Sequence, residues 1–380
     1  MNKLTRAGLG LLMTTAVATA QAEEVRIGMI TTLSGGGSHL GVDVRDGFML
    51  AINQAGRDDI EVLIQDDARR PDLAKTLSNE FMQRDEVDIM TGIIWSNLAM
   101  AVVPSVVRQG TFYLSPNAGP SALAGKMCHE NYFNVAYQND NLHGAMGAWM
   151  REQGYEAPIL MAPNYPAGTD ALAGFKHLFD GEVVDEVYTQ LGQTDYAAEI
   201  ARIRASDADS LFFFLPGGMG ISFMKQWENS GVEMPVFGAA FSFDETIIKA
   251  VGSAAIGAMN TSQWAYDLEN AANQAFVEGF REAYERTPTL YAAQGYDTAR
   301  LILSALEKAH PDDQDAFREA LREADFDSVR GKFRFGPNHH PIQDIHVREV
   351  VEGEDGEPTN RLVGLAVEDI QDVYAEQCRM

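Results

Sequence analysis

Short apolar runs alternate with amphipathic stretches along almost the whole chain. The segment 25–30, Val-Arg-Ile-Gly-Met-Ile, reads as a strand and leads into a glycine-rich loop. Over 41–55, Val44, Phe48, Ala51, Ile52 and Ala55 recur at helical spacing and mark the buried face of a helix. A short strand is predicted at 60–64, and Pro71 opens a helix at its first turn that runs to residue 83. A strand over 88–94, a helix over 98–108 and a strand over 111–114 complete the first set. After residue 140 the alternation restarts. Helices over 142–153, 167–179, 196–205 and 220–230 interleave with strands over 158–161, 183–188, 210–215 and 235–238. Helical stretches at 270–286 and 291–309 precede strand-like pieces at 332–335, 345–351 and 362–367, and Glu352-Gly-Glu-Asp-Gly-Glu-Pro is a polar hairpin turn. Strands and helices in strict alternation mean parallel βαβ units. Two such sets predict two α/β lobes, with the late helices returning to the first. No low-complexity tether separates them, so the chain must cross between lobes two or three times and form a hinge.

At 380 residues the chain suits about two domains. Apolar residues make up 46% and charged residues 22%, the balance of a globular protein. Acidic residues number 55 against 29 basic, a net charge of -26, which argues against a nucleic-acid partner and against adhesion to anionic lipid. The N-terminus carries Lys3 and Arg6, then an uncharged stretch over 7–20, then Ala20-Gln21-Ala22. That is the pattern of a cleaved secretory signal over 1–22, and it directs the mature chain to the periplasm. Both cysteines, Cys128 and Cys378, fall in the mature chain, where an oxidising compartment favours one disulfide. It would close a loop of about 250 residues, worth on the order of 5 kcal/mol at the upper end of the chain-entropy estimate.

Chemistry is sparse. The loop Ser34-Gly35-Gly36-Gly37-Ser38-His39-Leu40-Gly41 follows a strand and precedes a helix, but it has no lysine and no strict Gly-x-Gly-x-x-Gly. There is no Gly-x-Ser-x-Gly elbow and no His-Glu-x-x-His. His339-His340 lacks a third ligand at helical spacing. The expectation is a binding protein without cofactor or metal, not an enzyme.

Several stretches taken together carry a resemblance. They are Leu33-Ser34-Gly35 with the helix Gly41…Arg45-Asp46-Gly47-Phe48…Ala51-Ile52-Asn53, the run Gly92-Ile-Ile-Trp95-Ser96-Asn97, and Ser115-Pro116-Asn117-Ala118-Gly119-Pro120-Ser121. Pro163-Asn164-Tyr165…Gly168, Leu215-Pro216-Gly217-Gly218-Met219-Gly220 and Tyr291-Ala-Ala-Gln-Gly-Tyr296-Asp297 add to them. The chain resembles the periplasmic solute-binding proteins of ABC importers, in the leucine/isoleucine/valine-binding family. Ser328-Val-Arg-Gly331 and the closing Cys378-Arg-Met380 resemble its branch for aromatic carboxylates. The resemblance implies a type I periplasmic binding fold: two α/β lobes, each a mainly parallel sheet flanked by helices, joined by three hinge crossovers. It implies a first lobe of 23–137 plus 262–343 and a second of 138–261 plus 344–380. It also implies a monomer that delivers a small carboxylate to an inner-membrane ABC permease.

Site residues follow from the same resemblance. Ser96 lies between a strand end and a helix start, where a hydroxyl and unpaired N–H groups favour an anion. The family's serine there holds the ligand carboxylate. Asn117, Ala118 and Gly119 match the next ligand-facing loop, with the Gly119 N–H expected on the carboxylate. Tyr165 matches a ring laid over the ligand from the second lobe, and Met219 an aromatic position of amino-acid binders. His39 and Leu40 match the first loop, and Tyr291 a wall. Trp95, Phe241 and Trp264 are further wall candidates. Amino-acid binders of the family place a carboxylate at the position of Ala240, to pair with the ligand ammonium. Its absence favours an acid with an apolar or aromatic body, since a buried unpaired ammonium is costly. Asp244 is near enough in sequence to substitute, so a branched-chain amino acid remains the rival ligand. A periplasmic sensor subunit is the rival of another class.

Overall fold

The computed structural model describes residues 24–380, so the predicted signal at 1–22 lies outside the described residues. The first lobe is built from β1 (Val25–Thr31), α1 (Ser38–Ala55), β2 (Ile60–Asp66), α2 (Pro71–Gln83), β3 (Ile89–Thr91), α3 (Ser96–Arg108), β4 (Phe112–Ser115), α4 (Ser121–Ala124) and β5 (Tyr132–Asn134). Its five strands are all parallel, in the order β2-β1-β3-β4-β5. Helices on both faces bury β1, β3, β4 and β5, which is why those strands read as apolar runs rather than alternating ones.

The second lobe begins with α5 (Asn139–Glu152) and continues through β6 (Pro158–Pro163), α6 (Pro166–Phe179), β7 (Asp185–Thr189), α7 (Ala197–Arg204), β8 (Ser210–Phe213), α8 (Gly218–Ser230), β9 (Val236–Ala239), α9 (Glu245–Val251) and β10 (Met259–Ser262). The chain then returns to the first lobe as α10 (Ala271–Tyr284), α11 (Leu290–Leu306) and α12 (Gln314–Glu323). It ends in β11 (Phe333–Phe335), β12 (Pro341–Glu352) and β13 (Pro358–Ile370) on the second sheet, ordered β11-β12-β10-β9-β8-β6-β7 with β13 beside β12. The two lobes and the three passages between them agree with expectation.

α11 lies along α1, and two glycines permit that contact. A Cβ on Gly47 would fall 1.9 Å from the Ala292 carbonyl oxygen, and one on Gly295 would fall 2.1 Å from that of Val44. The passages are clasped by the buried Arg330. Its Nε donates to Asp297 Oδ2 at 2.9 Å, and Nη1 donates to the Ala136 carbonyl and to Gln343 Oε1, each at 2.9 Å. One guanidinium thus pins the first passage to the third. The expected disulfide is present between Cys128 and Cys378, tying the tail to the segment between α4 and β5.

Five elements have no counterpart in the sequence expectation: α4, β5, α9, β10 and α12. β10 reads Met-Asn-Thr-Ser, yet it sits between β9 and β12. Its Asn260 is satisfied by Arg348 Nε at 3.0 Å and by Asn360 Oδ1 at 2.9 Å, so polarity in sequence hid a central strand. α1 and α5 each start three residues earlier than expected, at Ser38 and Asn139. Among the described residues no helix is long and apolar enough to cross a membrane.

Candidate ligand-binding site

The carboxyl ends of both sheets converge on one narrow pocket between the lobes. Most of its lining comes from the residues just beyond strand ends, where an open α/β sheet exposes loops and helix N-termini. Trp95 and Ser96 follow β3, Asn117 follows β4, Tyr165 follows β6, Phe214 follows β8 and Phe241 follows β9. Leu40 on α1 and Tyr291 on α11 close the first-lobe side. Tyr137, from the first passage, and Asn139 and His143, from α5, complete the wall.

The polar end forms at α3. Gly92 turns the chain after β3 with a φ of +108°, and a Cβ there would lie 2.6 Å from the Ile30 carbonyl oxygen, so this turn requires glycine. Trp95 is the N-cap, in extended conformation, and no side chain caps the helix. Its carbonyl takes the N–H groups of Leu98 and Ala99, leaving the first helical N–H groups toward the cleft. Ser96 Oγ accepts from Asn139 Nδ2 at 3.2 Å, which turns its own proton away from Asn139. Asn139 is otherwise fully used: Nδ2 also donates to Asp170 Oδ2 at 2.9 Å, and Oδ1 accepts the Gly119 N–H at 3.2 Å. Asn117 Nδ2 donates to the Ile94 carbonyl at 2.8 Å and Oδ1 accepts from Tyr137 at 3.2 Å. A helix N-terminus with a free hydroxyl is an anion site that needs no arginine.

The rest of the cavity is aromatic. Tyr165 stacks on Phe214 at 6.3 Å with 12° between planes and faces Trp95 at 6.5 Å. Phe241 meets Tyr137 at 4.8 Å, Phe214 at 5.8 Å and Tyr291 at 6.3 Å. His143 is 1% exposed and sits against Phe212, Phe214 and Phe241. Burial pulls its pKa down to about 3, so the ring is neutral. Among the described residues, no lysine, arginine, aspartate or glutamate lines this cavity.

Of the residues singled out from the sequence, Leu40, Trp95, Ser96, Asn117, Tyr165, Phe241 and Tyr291 line the cavity. The others stand elsewhere. The Gly119 N–H, expected on a ligand carboxylate, is instead spent on Asn139. The Ala118 carbonyl accepts from Ser115, Tyr132 and Asn134, behind the wall. Ala240 is fully buried in a 3-10 turn that aims its neighbour Phe241 inward. Trp264 is a core residue whose indole N–H donates to Asn273 Oδ1 at 2.6 Å. Met219 lies at the cleft mouth, where its sulfur accepts the Gly192 N–H at 3.2 Å. Arg69 and Gly37 of the first lobe line the same mouth.

Asp244, the possible substitute acid, is fully buried but outside the lining. One oxygen caps α9 by accepting the Thr246 and Ile247 N–H groups at 2.8 and 3.0 Å. The other makes no hydrogen bond and lies 4.0 Å from His39 Nε2. Burial raises its pKa well above the ordinary range. Asn139, His143, Tyr137 and Phe214 were not foreseen. Asn139 and His143 are four residues apart on one helix face, and starting that helix at 142 hid the pair.

The family model described as "Periplasmic binding protein" matches residues 24–357. A curated relative, the Leu/Ile/Val-binding protein homolog 6 of Brucella melitensis, is 27% identical over 364 residues, covering 91% of this chain and 92% of that protein. Among solved structures, an ABC-transporter solute-binding protein from R. palustris in complex with benzoate superposes with a TM-score of 0.88 at 28% identity, covering 94% of this chain and all of that one. An ABC transporter substrate-binding protein from Sphaerobacter thermophilus superposes at 0.87 with 30% identity, covering 93% and 100%.

Proposed function

The chain belongs to the periplasmic binding protein family, and from that premise we propose that it captures a small aromatic carboxylate, of benzoate or hydroxycinnamate type, and delivers it to an inner-membrane ABC permease. The family is one of binding proteins, so its work is capture and release without chemical change. One observation carries the ligand reading: the cavity joins an uncapped helix N-terminus and the Ser96 hydroxyl to a mainly aromatic wall, with no acidic side chain among the described lining residues. A carboxylate is served at one end, and an α-ammonium has no partner. The benzoate complex of the R. palustris relative supports the same choice.

Closure is written into the same contacts. Asn139 of the second lobe holds Ser96 of the first. Asp170 of α6 accepts the N–H and hydroxyl of Ser121 at the start of α4, at 3.0 and 2.7 Å. These bonds exist only with the lobes together, and a ligand that touches both faces shifts the population toward them.

A second reading, a branched-chain amino acid, has the named function of the Brucella relative in its favour. It requires Asp244 to give up its cap or turn its free oxygen into the cavity. Thermal denaturation with benzoate, 4-hydroxycinnamate, leucine and valine distinguishes the two. A ligand at one hundred times its Kd adds about 2.7 kcal/mol of stability. Stabilisation by the aromatic acids is the expected result. Stabilisation by leucine or valine alone would overturn it. Transport and sensing separate in reconstituted vesicles, where a ligand-dependent rise in permease ATP hydrolysis is expected for delivery.

A further inference from the structure

A buried histidine in a well-packed core normally finds a hydrogen-bond partner, because an imidazole out of water with none is costly. His143 has been given none. Its Nδ1 is buried without a partner, and no described residue makes a hydrogen bond to its ring. The ring lines the ligand cavity, and its neighbours there are the faces and edges of Phe212, Phe214 and Phe241, which offer no acceptor. Being neutral, the imidazole carries one N–H donor and one nitrogen acceptor. The group is thus a two-way hydrogen-bonding device in a wall otherwise made mainly of aromatic rings.

Its position gives the distance. Asn139, which holds Ser96 at the anion end, is four residues earlier on α5. Residues so spaced share a helix face with Cβ atoms about 5–6 Å apart. A benzene ring carrying a carboxylate at one end spans a comparable distance to a substituent at the meta or para carbon. The rings of Phe214, Phe241 and Tyr165 supply the apolar space between the two polar points.

We propose that His143 reads a hydroxyl on the ring of the bound acid, so that the ligand is a hydroxy-substituted aromatic carboxylate, its anion at the α3 N-terminus and its hydroxyl on the imidazole, one turn of α5 beyond Asn139. This rests on the aromatic-acid reading of the cavity and narrows it. The phenol donates to the unprotonated ring nitrogen or accepts from the N–H, and either satisfies a group that plain benzoate leaves dry.

The test is calorimetric titration of the mature protein with benzoate, 3-hydroxybenzoate, 4-hydroxybenzoate and leucine, repeated on His143→Phe and His143→Gln. One hydroxybenzoate should bind wild type about tenfold more tightly than benzoate, the worth of one neutral hydrogen bond. His143→Phe should abolish that preference, so that benzoate and the hydroxybenzoates bind the variant with equal affinity. His143→Gln, which keeps a donor and an acceptor, should retain part of it. Nitrogen NMR of the wild-type histidine ring gives a readout that no variant has to fold for: its signals should move with the preferred hydroxybenzoate and not with benzoate. Equal affinity for benzoate and both hydroxybenzoates, or an equal loss for all of them in His143→Phe, would overturn the role of His143 and leave the aromatic-acid reading standing. Binding of leucine with no response to any aromatic acid would remove that reading and this inference with it.

Discussion

The two lobes face the cavity with different chemistry. The first-lobe face alone contributes a helix N-terminus, that of α3, with the Ser96 hydroxyl and the Asn117 amide, beside the apolar Leu40, Trp95 and Tyr291. The second-lobe face contributes Tyr165, Phe214 and Phe241 with the neutral His143 among them. Charge is answered on the first-lobe face, whereas the second-lobe face answers chiefly shape. On the proposed reading an anion docks on the open first lobe, and the choice among anions waits for the second lobe to close. The division also explains a cavity without cations in a chain of net charge -26. Fixed backbone dipoles do the work of an arginine and carry no mobile charge that a neighbouring acid might capture.

The comparison presumes that the passages hold the two faces in register, and the sharpest way to break it is at Arg330. Arg330 and Asp297 are both buried and paired at 2.9 Å. Removing one partner of such a pair leaves an uncompensated charge. Arg330→Leu should cost about 3–5 kcal/mol in chemical denaturation. A loss below about 1 kcal/mol would show that the clasp is not what fixes the passages.

Next in size is Ser96→Ala, which should weaken aromatic-acid binding by about 1–3 kcal/mol, the range for a charge-assisted hydrogen bond. Paired with Phe214→Leu, it separates the faces. The serine change should spare a neutral analogue such as benzamide, whereas the phenylalanine change should weaken acid and amide alike. Parallel losses in both variants would mean that charge and shape are not divided between the lobes.

The first-lobe half of this picture was legible in the sequence and the second-lobe half much less so. Ser96 and Asn117 stand at strand-to-helix junctions whose apolar runs and turn residues are unambiguous, and a helix N-terminus has known chemistry wherever it occurs. Second-lobe wall residues are ordinary aromatics whose cavity role depends on strand register and lobe closure. Phe212 and Phe214 share one pleat phase on either side of Phe213, which points the other way and packs on Phe223 and Phe243 instead. Gly119 misled for a related reason: its loop was correctly located, but the amide that consumes its N–H comes from the other lobe.

α5 joins the two faces and supplies a pH test. Asp140 lies beside Asn139 and accepts hydrogen bonds from Gln138 Nε2 and Tyr374 Oη, both at 2.8 Å. Burial nevertheless raises its pKa from 3.8 to about 7, with Asp170 and Asp372 adding to the rise. Between about pH 4 and 7 the folded chain keeps a proton that the unfolded chain has lost, so this group's contribution falls as pH rises through that window. Asp140→Asn should flatten that part of the stability profile and gain roughly 1–2 kcal/mol at pH 8. A variant whose profile keeps the wild-type slope would refute the assignment.

The smallest effect should come from the mouth, and it tests whether charge is read before shape. Arg69 lies at the cleft entrance with its guanidinium 5.1 Å from the centre of the Trp95 ring, the outer wall of the cavity. Its backbone φ of +58° follows one of +48° at Ala68, two successive left-handed residues held by Asp66 and Asp67, whose Oδ1 atoms accept the Ala68 and Arg69 N–H groups at 2.8 and 2.7 Å. A conformation that costly is kept where the fold over-determines it. Here it places a cation beside the cleft, where the proposed anionic ligand would enter. A partly exposed single charge is worth at most about 1 kcal/mol and is screened by salt. Arg69→Gln should therefore slow association of an aromatic acid by about two- to fivefold at low ionic strength, with the difference shrinking as salt is raised and dissociation changing little. If dissociation changed instead, and without salt dependence, Arg69 would be acting as packing over Trp95, and the first reading of the ligand would be made by shape after all.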